Sequence, residues 1–221
     1  MKILSIKENI KNILMDIPNG VELAAAAKTR DLCEVQEAIR AGVKIIGENY
    51  VQETALIRNA IREDVQWHFI GHLQKNKVKK AVEIFDVIET IDGIDIAEEV
   101  NKRCIAINKC ISVFIEINSG KEKQKFGVFP SEAKVLIQKV ARLSNVRVRG
   151  LMTMGPYSGD PEDSRPYFSE TKKIFDQLAA DPIEGVQMKY LSMGMTQAYR
   201  IAIEEGANIV RIGTKIFGER E

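Results

Sequence analysis

Several things are scarce in this sequence, and each shortage argues against something. There are three cysteines, Cys33, Cys104 and Cys110, an odd number without metal-ligand spacing. That argues against a disulfide framework or a cysteine-held metal, and points to reduced, mostly buried thiols in a cytoplasmic protein. An excess of one charge is also missing. The formal net charge is +1, which provides no field for nucleic acid or an acidic membrane. Nowhere do 18 apolar residues run together, and the opening "MKILSIKENIKNILMDI" interrupts its Ile/Leu helical period with Lys, Glu and Asn. It therefore lacks both a membrane span and the apolar core of a signal peptide. No G-x-G-x-x-G follows the first β-rich run, and there is no G-x-S-x-G, internal repeat or low-complexity tract.

What is present is an ordinary globular composition, 45% apolar and 29% charged over 221 residues, enough for a sizeable core without staples. The residues 1–221 are expected to form one domain. Short β-rich runs fall at Glu22–Ala27, Lys44–Glu48, Trp67–Gly71, Val87–Ile91, Ser112–Asn118, Val148–Met154, Tyr190–Met195 and Ile209–Gly213, with helical periodicity between them. Eight strands alternating with helices predict a parallel sheet, and eight is the number that closes a (β/α)8 TIM barrel. A doubly wound open sheet is the alternative, weakened by the missing glycine fingerprint. Asp92, Ser131 and Thr196 stand where helix N-caps belong, and Gly42 and Gly206 where helices stop. The run from Lys75 to Lys80 reads as a solvated helix face, because no aromatics interleave with it. The segments Ser119–Lys125 and Gly155–Pro161 are polar or rich in Gly and Pro, and are expected to be mobile loops.

In such a barrel the chemistry belongs at the C-terminal strand ends. The first strand reads "ELAAAAKTR". Alternation puts Ala24, Ala26 and Lys28 on one face, and small residues there would leave room for a flat ligand under the lysine tip. A Schiff-base lysine, its pKa lowered by burial and by Arg211, is one reading, and a solvated strand-end lysine is the other. The last two strand ends, "LSMGMT" and "VRIGT", supply glycines, the hydroxyls of Ser192 and Thr214, and helix N-termini, as a phosphate cradle requires. Arg211 shares a face with Gly213 and is expected to point inward. Lysine, cradle and arginine together suit an aldehyde-bearing phosphorylated ligand, and pyridoxal phosphate (PLP) meets both demands. His68 and His72 have i, i+4 spacing but sit on a strand and at its end without a third ligand, so no metal site is expected. Asp160, Glu162 and Asp163 resemble a capped helix start more than an acid/base pair.

The motifs "AKT", "GENYVQE", "WHFIGHLQKNKVK", "KFGV", "RGLMTM", "RPYF", "LSMGM" and "VRIGTKIFGER" together resemble the pyridoxal phosphate homeostasis proteins, also described as the YggS or proline-synthetase co-transcribed family. The likeness runs from Leu23 to Arg220. It implies a barrel of the alanine racemase N-terminal-domain type, with Lys28 in covalent aldimine linkage to PLP. Ser192, Met193 through its backbone, Gly213 and Thr214 match phosphate-contacting positions. Asn49 matches a residue near the cofactor, and Arg211 the arginine that meets the pyridine nitrogen. An arginine there disfavours protonation of that nitrogen and damps carbanion chemistry. The sequence ends at Glu221, soon after the eighth strand, so the second domain from which related racemases draw a tyrosine base is not expected here.

The implied function is intracellular PLP buffering or delivery without robust catalysis, by a cytoplasmic monomer. The implied recipients are PLP-dependent apoenzymes or other vitamin B6 proteins. A weak PLP-dependent racemase or decarboxylase is the alternative, and a cofactor-free Schiff-base aldolase a more distant one. Ala27, Thr196 and Ala198 depart from the family pattern, which has serine, serine and aspartate there.

Overall fold

The computed structural model describes residues 5–156 and 159–219. Residues 1–4 of the first helical period, Tyr157 and Ser158 of the expected Gly155–Pro161 loop, and Arg220 of the last motif lie outside them. Helix α1 (Ile6–Asp16) starts at a reciprocal cap, in which Ser5 and Glu8 each satisfy the other's backbone N–H. Strand β1 (Glu22–Ala26) and helix α2 (Leu32–Arg40) follow, then β2 (Ile45–Glu48), α3 (Val51–Ala60), β3 (Gln66–Phe69), α4 (Val78–Ile84) and β4 (Val87–Ile91). The second half runs α5 (Ile94–Ala106), β5 (Ile111–Ile117), α6 (Ala133–Val140), β6 (Val146–Thr153), α7 (Arg165–Ala180), β7 (Val186–Ser192), α8 (Tyr199–Glu204), β8 (Ile209–Ile212) and α9 (Thr214–Phe217).

All eight expected strands are present, and they close into a parallel barrel in sequence order. The seam pairs β1 with β8, from Glu22 opposite Ile209 to Ala25 opposite Ile212. The open-sheet alternative is thereby set aside. Alternation sorts the apolar residues into two layers. Ala24, Ile45, Val87, Phe114, Met152 and Ile209 fill the barrel interior. Leu23, Ala25, Ile46, Ile88, Val113 and Val210 join the larger layer between strands and helices. A β-carbon at Gly150 would lie 2.0 Å from the Tyr190 carbonyl oxygen, so only glycine lets β6 and β7 pair here.

Boundaries differ from expectation at both ends: β1, β3, β5, β6, β7 and β8 stop one to three residues short of the expected C-terminus. β6 and β7 begin earlier, at Val146 and Val186, because Arg147, Gln187 and Lys189 alternate outward into solvent at the lower rim. None of the three expected N-caps serves. Gly93 caps α5, and Asp92 instead faces His72 at 3.8 Å. A short 3-10 turn, Pro130–Glu132, leads into α6, and α8 starts after Ala198. The helix stops are as expected: Gly42 and Gly206 take φ of +111° and +93° directly after α2 and α8. The cysteines are free, but only Cys104 is buried; Cys33 and Cys110 are exposed. Among the described residues no helix is long and apolar enough to cross a membrane.

Candidate functional site

The C-terminal strand ends surround two adjoining hollows that share Gly155, Pro156 and Met195 in their walls. The larger, about 1020 Å3, is an open cleft over the β1–β8 seam. Ala26, Lys28, Thr196, Arg211, Gly213 and Thr214 line it. Strand pairing outlasts β1 by one residue, since the Ala27 N–H donates to the Gly47 carbonyl at 2.9 Å. The chain then turns sharply, with Thr29 at φ +66° and the Arg30 N–H donating to the Ala27 carbonyl. Lys28 is thus the first central residue of a tight turn that directly follows the strand, which limits its backbone. Ala24 inside and Ala25 outside fix the alternation that puts Ala26 and Lys28 on the inner side. Across the seam, a β-carbon on Gly213 would lie 3.1 Å from the Ala26 carbonyl oxygen. The glycine therefore keeps the wall beside Ala26 thin.

Arg211 is buried, 3% exposed, one alternation below Gly213. One guanidinium nitrogen donates to Ser192 Oγ at 2.6 Å and the other to the Thr153 carbonyl at 2.9 Å. Ser192 Oγ in turn donates to Glu89 Oε2 at 2.6 Å, and Glu89 lies 3.8 Å from Arg211. His68 Nδ1 meets the other Glu89 oxygen at 2.6 Å, and its Nε2 faces Gln66 Oε1 at 3.2 Å. Burial alone would push the fully enclosed Glu89 carboxyl up. The His68 hydrogen bond and charge, Arg211 and the Ser192 hydroxyl outweigh it and hold the group below its ordinary range. Burial also lowers Arg211, opposed by Glu89 and Glu116. The expected cation beside Lys28 is thus already neutralised from below.

Two of the residues expected at the phosphate have partners of their own in this structure. The Ser192 hydroxyl is committed to Glu89 and Arg211 inside the barrel. The Met193 N–H donates to the Ile209 carbonyl in the sheet, and its side chain is buried in the outer layer. Lys28, Arg211, Gly213 and Thr214 do come together in the cleft, joined by Thr196.

The smaller hollow, about 390 Å3, holds Asn49 together with His72, Glu116, Lys125 and Phe126. The ring of His72 stacks on Phe126, 3.6 Å between centroids. The expected mobile loop is laced down by Asn118, whose amide nitrogen donates to the Glu122 and Lys125 carbonyls while its oxygen accepts from the Glu122 N–H. Asn49 Oδ1 is buried without a partner among the described residues. Burial, reinforced by Asp92 and opposed by Arg211, pushes Glu116 up to about 7. Glu48, next to Asn49 but on the outer face with Ile46, is pushed up to about 8 by burial. Sequence reasoning passed over Glu89 and Glu116. The available signal was a glutamate inside each of two otherwise apolar strands, "VIETI" and "FIEI".

The model of the alanine racemase N-terminal domain family matches residues 2–221. A pyridoxal phosphate homeostasis protein from Aquifex aeolicus is 43% identical over 92% of this chain and 89% of its own length. The one from Pasteurella multocida is 34% identical over 99% of each. Among solved structures, PipY of Synechococcus elongatus, described with PLP bound, superposes with a TM-score of 0.88 at 28% identity, covering 97% of this chain and all of that one. An alanine racemase from Clostridium difficile shares the fold alone, with a TM-score of 0.82 at 15% identity, and this chain covers 56% of it. With its eight-stranded barrel and near-full-length likeness to these relatives, the chain belongs to the pyridoxal phosphate homeostasis protein family, built on the alanine racemase N-terminal domain.

Proposed function

We propose that this chain binds pyridoxal phosphate in the seam cleft, joined covalently to Lys28, and serves PLP homeostasis by holding and releasing the cofactor without robust catalysis. The observation that carries this reading is the sharing of one cleft by Lys28, Arg211, Gly213 and Thr214. When bound, PLP brings an aldehyde that condenses with a primary amine, losing water, and a phosphate that needs hydrogen-bond donors. The residues fit both demands. Lys28 offers the amine above small Ala24 and Ala26. Thr214, opening α9, and Thr196 offer hydroxyls, while the first N–H groups of a helix lack intrahelical acceptors. Thr196 lines the same cleft and keeps the hydroxyl of the serine it replaces.

Arg211 bears on what the protein would do with the cofactor. A buried guanidinium held in place by Ser192, Thr153 and Glu89 cannot accept a proton from a ring nitrogen, nor stabilise a positive charge on one. That supports holding over carbanion chemistry, with PLP-dependent apoenzymes as the recipients. The test is mass spectrometry of the protein reduced with borohydride after incubation with PLP. One adduct on Lys28 is expected, along with visible absorption that Lys28→Ala abolishes. An unmodified protein, or equal labelling of Lys28→Ala, refutes the reading.

A further inference from the structure

Two walls of the seam cleft are tied to each other from outside it. Gly194 to Ala198, between β7 and α8, form one wall, and Gly213 with Thr214, at the start of α9, form the other. The residues that directly follow them are Tyr199 and Lys215. Neither lines the cleft, yet the two meet: Lys215 Nζ donates to the Tyr199 hydroxyl at 2.7 Å and lies 4.7 Å from the centre of its ring. Tyr199 is buried, 3% exposed, and its backbone packs against the first wall. A β-carbon on Gly194 would lie 2.9 Å from Tyr199 Cα and 2.5 Å from Ala202 Cβ, so glycine lets that wall rest directly on α8. The Tyr199 hydroxyl donates in turn to Asp16, the last residue of α1. Arg200 fixes the same carboxylate with two nitrogens, each at 2.9 Å. The Arg200 and Tyr199 hydrogen bonds hold the Asp16 carboxyl below its ordinary range, so it remains an acceptor at neutral pH. Helix α1 holds α9 a second time, where Asn9 Nδ2 donates to the Ile216 carbonyl at 3.0 Å.

We infer that Tyr199 is a positioning residue for the cofactor's phosphate, setting the spacing between the wall that carries Thr196 and the wall that carries Thr214. This rests on the proposed binding of PLP in the seam cleft. Hydroxyls on two separate loops serve one phosphate only if both stand within reach of it, and a hydrogen bond weakens steeply as its donor drifts or tilts. A spacing fixed before the ligand arrives also spares the ordering cost of binding. The aldehyde is met by Lys28 on another element, so the effect of Tyr199 is confined to ligands that carry a phosphate.

The test compares PLP with pyridoxal, which has the aldehyde but no phosphate. Dissociation constants of both are read by absorbance for the parent, Tyr199→Phe, Lys215→Met and the double variant. Tyr199→Phe keeps the ring and removes only the hydroxyl. PLP should bind about tenfold more weakly to each single variant, while pyridoxal stays within about twofold of the parent. The double variant should bind PLP no more weakly than either single one, because both changes sever one link. Undiminished PLP binding by Tyr199→Phe overturns the inference. A parallel loss for pyridoxal also overturns it, since that marks a general structural residue. Additive losses in the double variant do the same, because Lys215 would then act as a charge on its own. If the parent takes up no PLP, the cofactor reading fails and this inference falls with it; uptake by the parent with no loss in Tyr199→Phe sinks this inference alone.

Discussion

Replacing Glu89 by methionine tests the barrel's polar interior most directly. Glu89 is fully buried and supports three groups: His68 and Ser192 at 2.6 Å each, and Arg211 at 3.8 Å. Methionine preserves much of the volume, so the loss is electrostatic. Removing one partner of a buried ion pair typically costs about 3–5 kcal/mol, because the other charge is left uncompensated. For a domain of this size each kcal/mol lowers the melting temperature by about 2–4 °C, so Glu89→Met should melt about 6–20 °C lower at pH 7. Replacing Arg211 by methionine as well removes the stranded charge, and the double variant should recover at least half of the loss. The pH dependence has a definite sign. A carboxyl depressed in the fold contributes stability above its unfolded-state pKa and loses it as pH falls through the folded value. The gap between parent and Glu89→Met should therefore narrow in acid. Urea titrations of ligand-free protein at pH 7 and pH 3 measure this. A loss under about 1 kcal/mol at pH 7, or a double variant no better than the single, would refute the reasoning.

Two further outcomes follow from the cleft and its surroundings. Ala26→Leu puts a bulky side chain beside Lys28, so it should abolish labelling by PLP while costing only about 1–3 kcal/mol of stability; normal loading, read by absorbance, would contradict the proposed need for a slim first strand. Glu48 is raised to about 8 by burial, so its contribution is fully present below the ordinary glutamate pKa and is lost as pH rises to about 8. Glu48→Gln should match the parent near pH 4.5 and exceed its stability at pH 8.5 by on the order of 2–4 kcal/mol, by denaturant titration.

The barrel was legible because its strands are short apolar runs spaced by helical periods, and the closing number could be counted. The inner face of β1 was legible for the same reason: alternation from Ala24 reaches Lys28. The caps were not, because Asp92, Ser131 and Thr196 are good cap residues by type, while their actual positions depend on where each strand end delivers the chain. Ser192 and Met193 show the deeper limit. Motif position sets them at the phosphate, and the structure adds partners the motif does not display: Glu89 and Arg211 for the hydroxyl, and the Ile209 carbonyl for the N–H. Those contacts involve β4, β7 and β8 at once, and no single stretch of sequence displays them. Glu116 was visible as a glutamate in an apolar strand, but its place beside Asn49 in the smaller hollow emerges only from three-dimensional neighbours.

The β1–β8 seam has a kinetic meaning as well. Glu22–Ala25 cannot complete their second ladder until Ile209–Ile212 have been made and delivered, so closure brings together segments separated by most of the chain. Lys28 and Thr214 flank that seam and meet only when it shuts. A ligand that bridges them binds the closed ring alone and holds it shut by mass action. Cofactor occupancy should then slow amide hydrogen exchange along β1 and β8 before it affects β5 or β6. Until the ring closes, the waiting edge is an alanine strand, with few of the β-branched and aromatic side chains that favour pairing with other chains.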